Sequence, residues 1–486
     1  MVHNVAAPDL KPSRGSALKG IGAIVGFLVC VEVASGALQG YYTPLFTDIA
    51  RHLEIRDADV NWFEAAQLTV SALVVPVLAR LGDVIGHRKV LLIATLVTAV
   101  ASWAVAFAPN FWTFLIAWAF AGFYVVWLPL EVAIIHRRTD GDPKRTRMAA
   151  AVLVFALELS VIAAALTAGA LAETLSMTAL LSIPAVVVTL ALPAIWFGVP
   201  EVPPARKASL DLGGFWLITL ALALLMGGLI VVRLDGPTSP WALLLLVLAV
   251  GAFVLFGRFE LRHREPLVDL RVLGAARQWP IQLTAFLLGV SVLGAQIPLS
   301  TFARTDPAVT GYGLGATAAS VSSIIGLYVI TLAIGALSLP TLARLLSPTG
   351  ALTLGATLVG VGYLMFLPLH DGLSQLMLNM AVAGLGSGLL VAALPAAAAA
   401  EAPTEHTGFV TGMTNMTKPV GGALASSVFA IALSTTGSID ADAAENHASL
   451  GGYMTVWAIC GVSALLAAVV LALRGPRRLE ATTPTG

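Results

Sequence analysis

Arg80-Leu81-Gly82-Asp83-Val84-Ile85-Gly86-His87-Arg88-Lys89 is a short polar and charged knot between two long apolar runs. Residues 60–79 ahead of it turn apolar after their first few positions, and residues 90–108 behind it are apolar again. The knot therefore joins two hydrophobic helices through a tight turn. Gly82 and Gly86 let that turn close, Asp83 lies between them, and His87, Arg88 and Lys89 open the next helix.

The same alternation runs outward to both ends of the chain. Charged residues are 11% of the sequence and hydrophobic residues 58%, with a mean hydropathy of +0.89, whereas soluble domains are about a quarter charged. These values define an all-α integral membrane protein. A spanning helix consumes about 20 apolar residues, and the 486 residues read as fourteen of them: 21–43, 60–79, 90–108, 112–135, 148–171, 177–198, 215–232, 241–256, 281–303, 316–339, 351–369, 376–399, 408–433 and 452–473. The expected organisation is an N-terminal tail (1–20), a six-helix bundle (21–200), a linker carrying two extra helices (201–275), a second six-helix bundle (276–473) and a C-terminal tail (474–486). No small-x-small cleavage site follows the first apolar run, so the N-terminal tail is expected to be retained.

Lysine and arginine set the orientation. Of the 27 present, 22 fall in the tails and in the connections on the knot's side, whereas Arg51, Arg56, Arg233 and Arg304 fall on the other. Both termini and the knot are therefore expected in the cytoplasm, the protein lying in the cytoplasmic membrane. An internal repeat supports two bundles: Pro76-Val-Leu-Ala-Arg80-Leu81 recurs as Pro340-Thr-Leu-Ala-Arg344-Leu345, with Gly86 matching Gly350, and Leu128-Pro129 has a near counterpart in Leu394-Pro395.

Leu81, Gly82, Asp83, Gly86, Arg88 and Lys89 stand at the spacing of the signature between the second and third helices of the major facilitator superfamily. Trp62, the segment Arg264-Glu-Pro-Leu-Val-Asp-Leu-Arg271 and the run from Gly408 through Asn415 and Lys418 to Gly422 are similar to its fourteen-helix drug:proton antiporter branch. The resemblance covers essentially the whole chain. It implies the major facilitator fold, two six-helix bundles rocking about a midplane site, with Asp83 and Arg88 at the cytoplasmic rim stabilising one of two states and Asp83 facing the start of the thirteenth helix near Thr407 and Gly408. It also implies export of a small lipophilic compound, such as an antibiotic, in exchange for protons. Two motifs depart from the branch: Trp118 stands where the fourth-helix arginine belongs, and residues 159–171 lack the fifth-helix Gly-Pro-x-x-Gly-Gly. Loss of the second favours an uptake or metabolite permease as the alternative; a non-transporting membrane sensor is a third reading, disfavoured by the rim knot and the acids inside the spans.

A carboxylate in hydrocarbon costs at least ~2.5 kcal/mol unless it is neutralised or hydrated, so each one inside a span needs a reason. Glu131, Glu158 and Glu32 lie a turn or more from their helix ends, and Glu64 lies nearer the outer surface. Desolvation lets such a group take up and release a proton near neutrality, although a protonated helix-packing role accounts for each as well. Glu131 comes first because Pro129 frees backbone carbonyls beside it. Lys418, the sole lysine inside a span, either contacts an anion or substrate in a cavity or snorkels. Gln67, Asn379 and Asn415 serve as cavity donors or as packing residues. Trp118, Phe123, Tyr124 and Trp127 form either an aromatic wall for a lipophilic substrate or a face toward lipid or core.

No P-loop or His-Glu-x-x-His is present, and two cysteines, Cys30 and Cys460, both inside apolar runs, indicate neither a metal site nor a disulfide framework. A formal net charge of zero gives no field for nucleic acid. The chain is accordingly expected to be no enzyme and to need neither cofactor nor metal. Its expected partners are a small-molecule substrate, protons and the lipid bilayer, and its expected state is a monomer.

Overall fold

An apolar chain in lipid must satisfy its backbone N–H and C=O groups within each segment, and the α-helix does so. The computed structural model describes residues 14–139, 142–201, 211–263, 266–402, 407–434 and 448–474. Thirteen helices there are long and apolar enough to cross a membrane: α1 (Gly22–His52), α2 (Asp57–Ile85), α3 (His87–Ala106), α4 (Phe111–Arg138), α5 (Met148–Leu171), α6 (Met177–Gly198), α7 (Leu212–Asp235), α8 (Pro240–Glu260), α9 (Trp279–Arg304), α10 (Ala318–Leu346), α12 (Leu373–Ala400), α13 (Val410–Leu433) and α14 (Leu450–Arg474). A shorter apolar helix, α11 (Pro348–Leu364), completes fourteen. The first helical segment begins at Arg14, inside the stretch read as a tail, and α1 continues past 43 through a 3-10 turn at Thr43–Leu45.

Two apolar cores divide the molecule. One gathers residues of α1–α6 around Trp127, Phe63 and Phe114, and the other gathers α9–α14 around Trp457, Phe302 and Phe366. Between them in sequence, α7 and α8 pack chiefly on each other, and α7 reaches α2 and α13. The far face of α8 exposes Trp241, Leu243, Val247 and Val250, as a helix facing lipid does. The two bundles meet along two seams, α2 with α13 and α5 with α10. Small residues permit the approach: a Cβ on Gly422 would stand 2.7 Å from Leu68, and one on Gly169 would stand 2.3 Å from the Ser322 hydroxyl.

The seen bonds between bundles gather at the end remote from the knot. Asp48 of α1 pairs with Arg304 of α9, the Ser300 hydroxyl donates to the Thr43 carbonyl at 2.6 Å, and the Ser322 hydroxyl donates to the Ala165 carbonyl at 2.6 Å. At the knot end, the part of the family-like segment that the structure describes is a latch. The Leu267 N–H donates to Asp211 and the Val268 N–H to Glu260, at 3.3 and 3.1 Å, tying the entry of the second bundle to both inserted helices.

Candidate functional site

The knot folds as its spacing requires. Gly86 ends α2 with φ 107°, a conformation that L side chains rarely adopt, and Gly82 lets α2 sit against Leu130 of α4. Asp83 accepts from Arg137 of α4 at 2.7 Å and lies 3.5 Å from His87. Arg88 donates to the Trp196 carbonyl at the end of α6 at 2.6 Å, lies over the Trp196 ring, and stands 3.9 Å from Glu201. Lys89 is exposed. These bonds are all inside the first bundle, and the Asp83 side chain is 47% exposed. The expected contact of Asp83 with Thr407 and Gly408 falls on residues whose side chains lie outside the described ones.

The acids sort into two kinds. Glu32 and Glu131 are 0% exposed and interact directly with each other between α1 and α4. Outside this pair, none of their four carboxyl oxygens has a hydrogen-bond partner among the described residues. The helix distortion expected beside Glu131 is present: α4 runs as a 3-10 stretch over Gly122–Val126, the position where the Pro129 ring would clash with the carbonyl four residues back. Glu158 and Glu64 are only half-buried. Glu158 on α5 lies in the electrostatic neighbourhood of Tyr328 on α10, so this pair faces across a seam. Glu64 neighbours Tyr124 of α4 in the same way.

The neutral candidates divide. Gln67 is buried on α2 with its side chain against Gly122, Asn415 is exposed and Lys418 half-exposed on α13. Among the described residues no carboxylate lies within ion-pair distance of Lys418. The backbone of α13 there presses on α9, since a Cβ on Gly289 would stand 2.0 Å from the Lys418 carbonyl. Two residues fall on the packing side of their alternatives. Asn379 is 0% exposed and donates to the Leu369 carbonyl at 2.7 Å, closing a helix end in the second core. Trp127 is 0% exposed within the first core. Trp118, in place of an arginine, is buried among Tyr42, Phe114 and Phe46 with ring centroids 4.6, 5.6 and 6.1 Å away. Cys460 is a packing residue as expected, whereas Cys30 is exposed.

Arg233, read from sequence as a residue of an outer connection, is instead 1% exposed within α7. It forms a two-pronged pair with the fully buried Asp59, Nε to Oδ1 3.0 Å and Nη2 to Oδ2 2.8 Å. Sequence reasoning also missed Arg137 as the partner of Asp83. The signal for Arg233 was a lone cation inside an apolar helix; for Arg137 there was none beyond its lying in a basic connection.

Two helical bundles that touch along two seams, with acids sealed inside one of them and a charged turn at one rim, define a multi-pass membrane transporter. The chain belongs to the Major Facilitator Superfamily, which it matches over residues 28–426. It is 27% identical over 294 residues to the quinolone resistance protein NorB of Staphylococcus aureus (strain bovine RF122 / ET3-1), covering 58% of this chain and 60% of that protein. It is also 27% identical over 290 residues to the NorB of strain Newman, covering 57% and 59%. The chain thus spans about three fifths of the length of these relatives. Among solved structures it is similar to an auto-inhibited POT family peptide transporter (TM-score 0.65, 16% identity, 96% of this chain and 99% of that one). It is similar also to the nucleoside transporter NupG (TM-score 0.63, 15% identity, 94% and 100%). At such identities these structures speak to the fold.

Proposed function

We propose that this protein is a secondary transporter of the cytoplasmic membrane that exports small lipophilic compounds, quinolone-like drugs among them, in exchange for protons. The observation that carries the reading is the Glu32–Glu131 pair. Ionising both would put two like charges side by side in a water-excluded site where, among the described residues, no cation pairs with either. Such a pair holds a proton in the sealed state and gives it up when rocking of the bundles admits water or substrate. Glu158, half-buried at the α5–α10 seam, is the second coupling group, and Gln67, Asn415 and Lys418 line the path between the bundles.

The cations on the knot's side support a cytoplasmic knot and cytoplasmic termini. With bonds closing the opposite end, the knot's end, on the cytoplasmic side in this reading, is the one left to open, and it is the side from which an exporter loads. In this reading the bundles are residues 21–200 and 276–473, with 201–275 as the insert, and one copy transports alone. Asp83 and Arg88 hold α2 and α3 to α4 and α6, so the rim moves as one body. The missing Gly-Pro pattern of α5 favours a permease instead, and one experiment separates the two. Purified protein in proteoliposomes accumulates a fluorescent quinolone under an imposed pH gradient, and Glu131→Gln, isosteric with the protonated acid, binds the quinolone but loses the accumulation. Full gradient-driven accumulation by Glu131→Gln would refute the assignment of the proton site; wild-type transport indifferent to the gradient would leave the permease.

A further inference from the structure

A cavity of ≈ 300 Å³ lies where the three parts of the molecule meet. Ala72 of α2 comes from the first bundle, Phe286 and Ala423 of α9 and α13 from the second, and Met226 and Phe253 of α7 and α8 from the insert. Its lining is apolar apart from Thr69, and the Thr69 hydroxyl donates to the Ala65 carbonyl at 2.7 Å. One hydroxyl acceptor is too little to hold water, which needs two to four polar partners, so the cavity prefers an apolar guest. We propose that it is a binding site for a hydrocarbon chain of a bilayer lipid.

Three observations choose the lipid over other apolar guests. Ala72, Met226 and Ala423 sit near the middle of their helices, which places the cavity at mid-membrane depth, where the surrounding medium is acyl chain. Sites that recognise discrete small molecules orient them with a few placed polar groups, and this lining offers only the Thr69 hydroxyl, whose proton is held by the Ala65 carbonyl. The volume holds roughly ten water-sized groups, the size of a stretch of chain rather than of a whole lipid, so the head group stays outside. Because its walls belong to both bundles and to the insert, the cavity changes shape whenever the bundles rock, and its occupant biases that equilibrium by any difference in affinity between the two states.

The test uses the full chain in nanodiscs doped with phosphatidylcholine carrying a diazirine midway along one acyl chain, with labelled peptides mapped by mass spectrometry. Label is expected on residues 222–226 and 420–424. Ala72→Trp, which fills the cavity, is expected to cut that label severalfold while leaving label on residues 243–250 of the lipid-facing side of α8 unchanged; Ala423→Phe fills the cavity from the other bundle and is expected to do the same should Ala72→Trp fail to fold. A lipid with the diazirine in its head group is expected to label neither stretch. Absence of label in the wild type, or equal label in the filled variants, overturns the proposal. Displacement of the label by excess quinolone overturns it in favour of a substrate site. Labelling requires no transport, so Glu131→Gln is expected to label like the wild type, and failure here is distinct from failure of the export reading.

Discussion

Two pairs of titratable residues are sealed in the first half of this protein, and they are built on opposite principles. Asp59 and Arg233 face each other with two hydrogen bonds and opposite charge, joining α2 to the inserted α7. Glu32 and Glu131 are two acids facing each other, and neither finds a hydrogen-bond partner outside the pair among the described residues. The first pair is complete as it stands and fastens the insert to the bundle. The second cannot carry both charges in a dry site without a proton, which is what the proposed coupling role asks of it. In that reading the contrast separates architecture from mechanism.

The largest expected effect is on the ion pair. Removing one partner of a buried pair leaves an uncompensated charge and costs about 3–5 kcal/mol, whereas replacing both with apolar residues is often neutral. Arg233→Met is therefore expected to lower the yield and melting temperature of folded protein sharply in detergent, and Asp59→Leu combined with Arg233→Met is expected to recover most of the loss. A stable single variant would mean that α7 is held by its apolar contacts alone.

The acid pair is expected to behave in the reverse way. Glu32→Gln with Glu131→Gln removes two groups that nothing satisfies as ions, so the double variant is expected to melt no lower than wild type in the same assay while losing gradient-driven transport. A large loss of stability would recast Glu32 and Glu131 as a structural pair and erase the contrast.

Next in size is the rim. Asp83→Asn weakens the bond to Arg137 that ties α2 to α4 and, in the expected arrangement, a contact with the start of the thirteenth helix that is made in one state only. With the Asp83 side chain 47% exposed, such a contact is screened to at most about 1 kcal/mol, which shifts a two-state balance by no more than about fivefold. Turnover is expected to fall on that scale with substrate affinity little changed. Unchanged turnover at equal expression would remove the knot from the cycle.

The fourteen helices and the two bundles were legible because burial in lipid writes itself as length and hydropathy, independent of which helix meets which. Pairing is another matter. Glu32, Glu131 and Asp83 were visible as acids in unusual places, yet nothing in the chain said that Glu32 meets Glu131 or that Asp83 meets Arg137, because those contacts join residues 99 and 54 positions apart through the packing of a bundle. Asn379 and Trp127 show the same blindness from the other side. A polar or aromatic residue in a span looks alike whether it turns to a cavity or to a neighbouring carbonyl, and only the packing of α12 and α4 decides.

The smallest expected effect concerns the closed end, where a third ion pair lies between the two extremes. Asp48 and Arg304 are opposite in charge like Asp59 and Arg233, but their side chains remain 21% and 11% exposed, so solvent screens them and the pair is worth at most about 1 kcal/mol. Its loss changes the population of the opened state by no more than about fivefold. Ala58 reports this directly, for it sits on α2 yet is buried in the core of the second bundle. In a Cys30→Ser background, Ala58→Cys is expected to react slowly with a membrane-impermeant maleimide, and adding Asp48→Asn is expected to raise that rate by up to about fivefold. An unchanged rate would assign closure to the Ser300 bond with Thr43 and to apolar contact alone; a far larger rise would show that the partly exposed pair, rather than the packing around it, holds the two bundles shut.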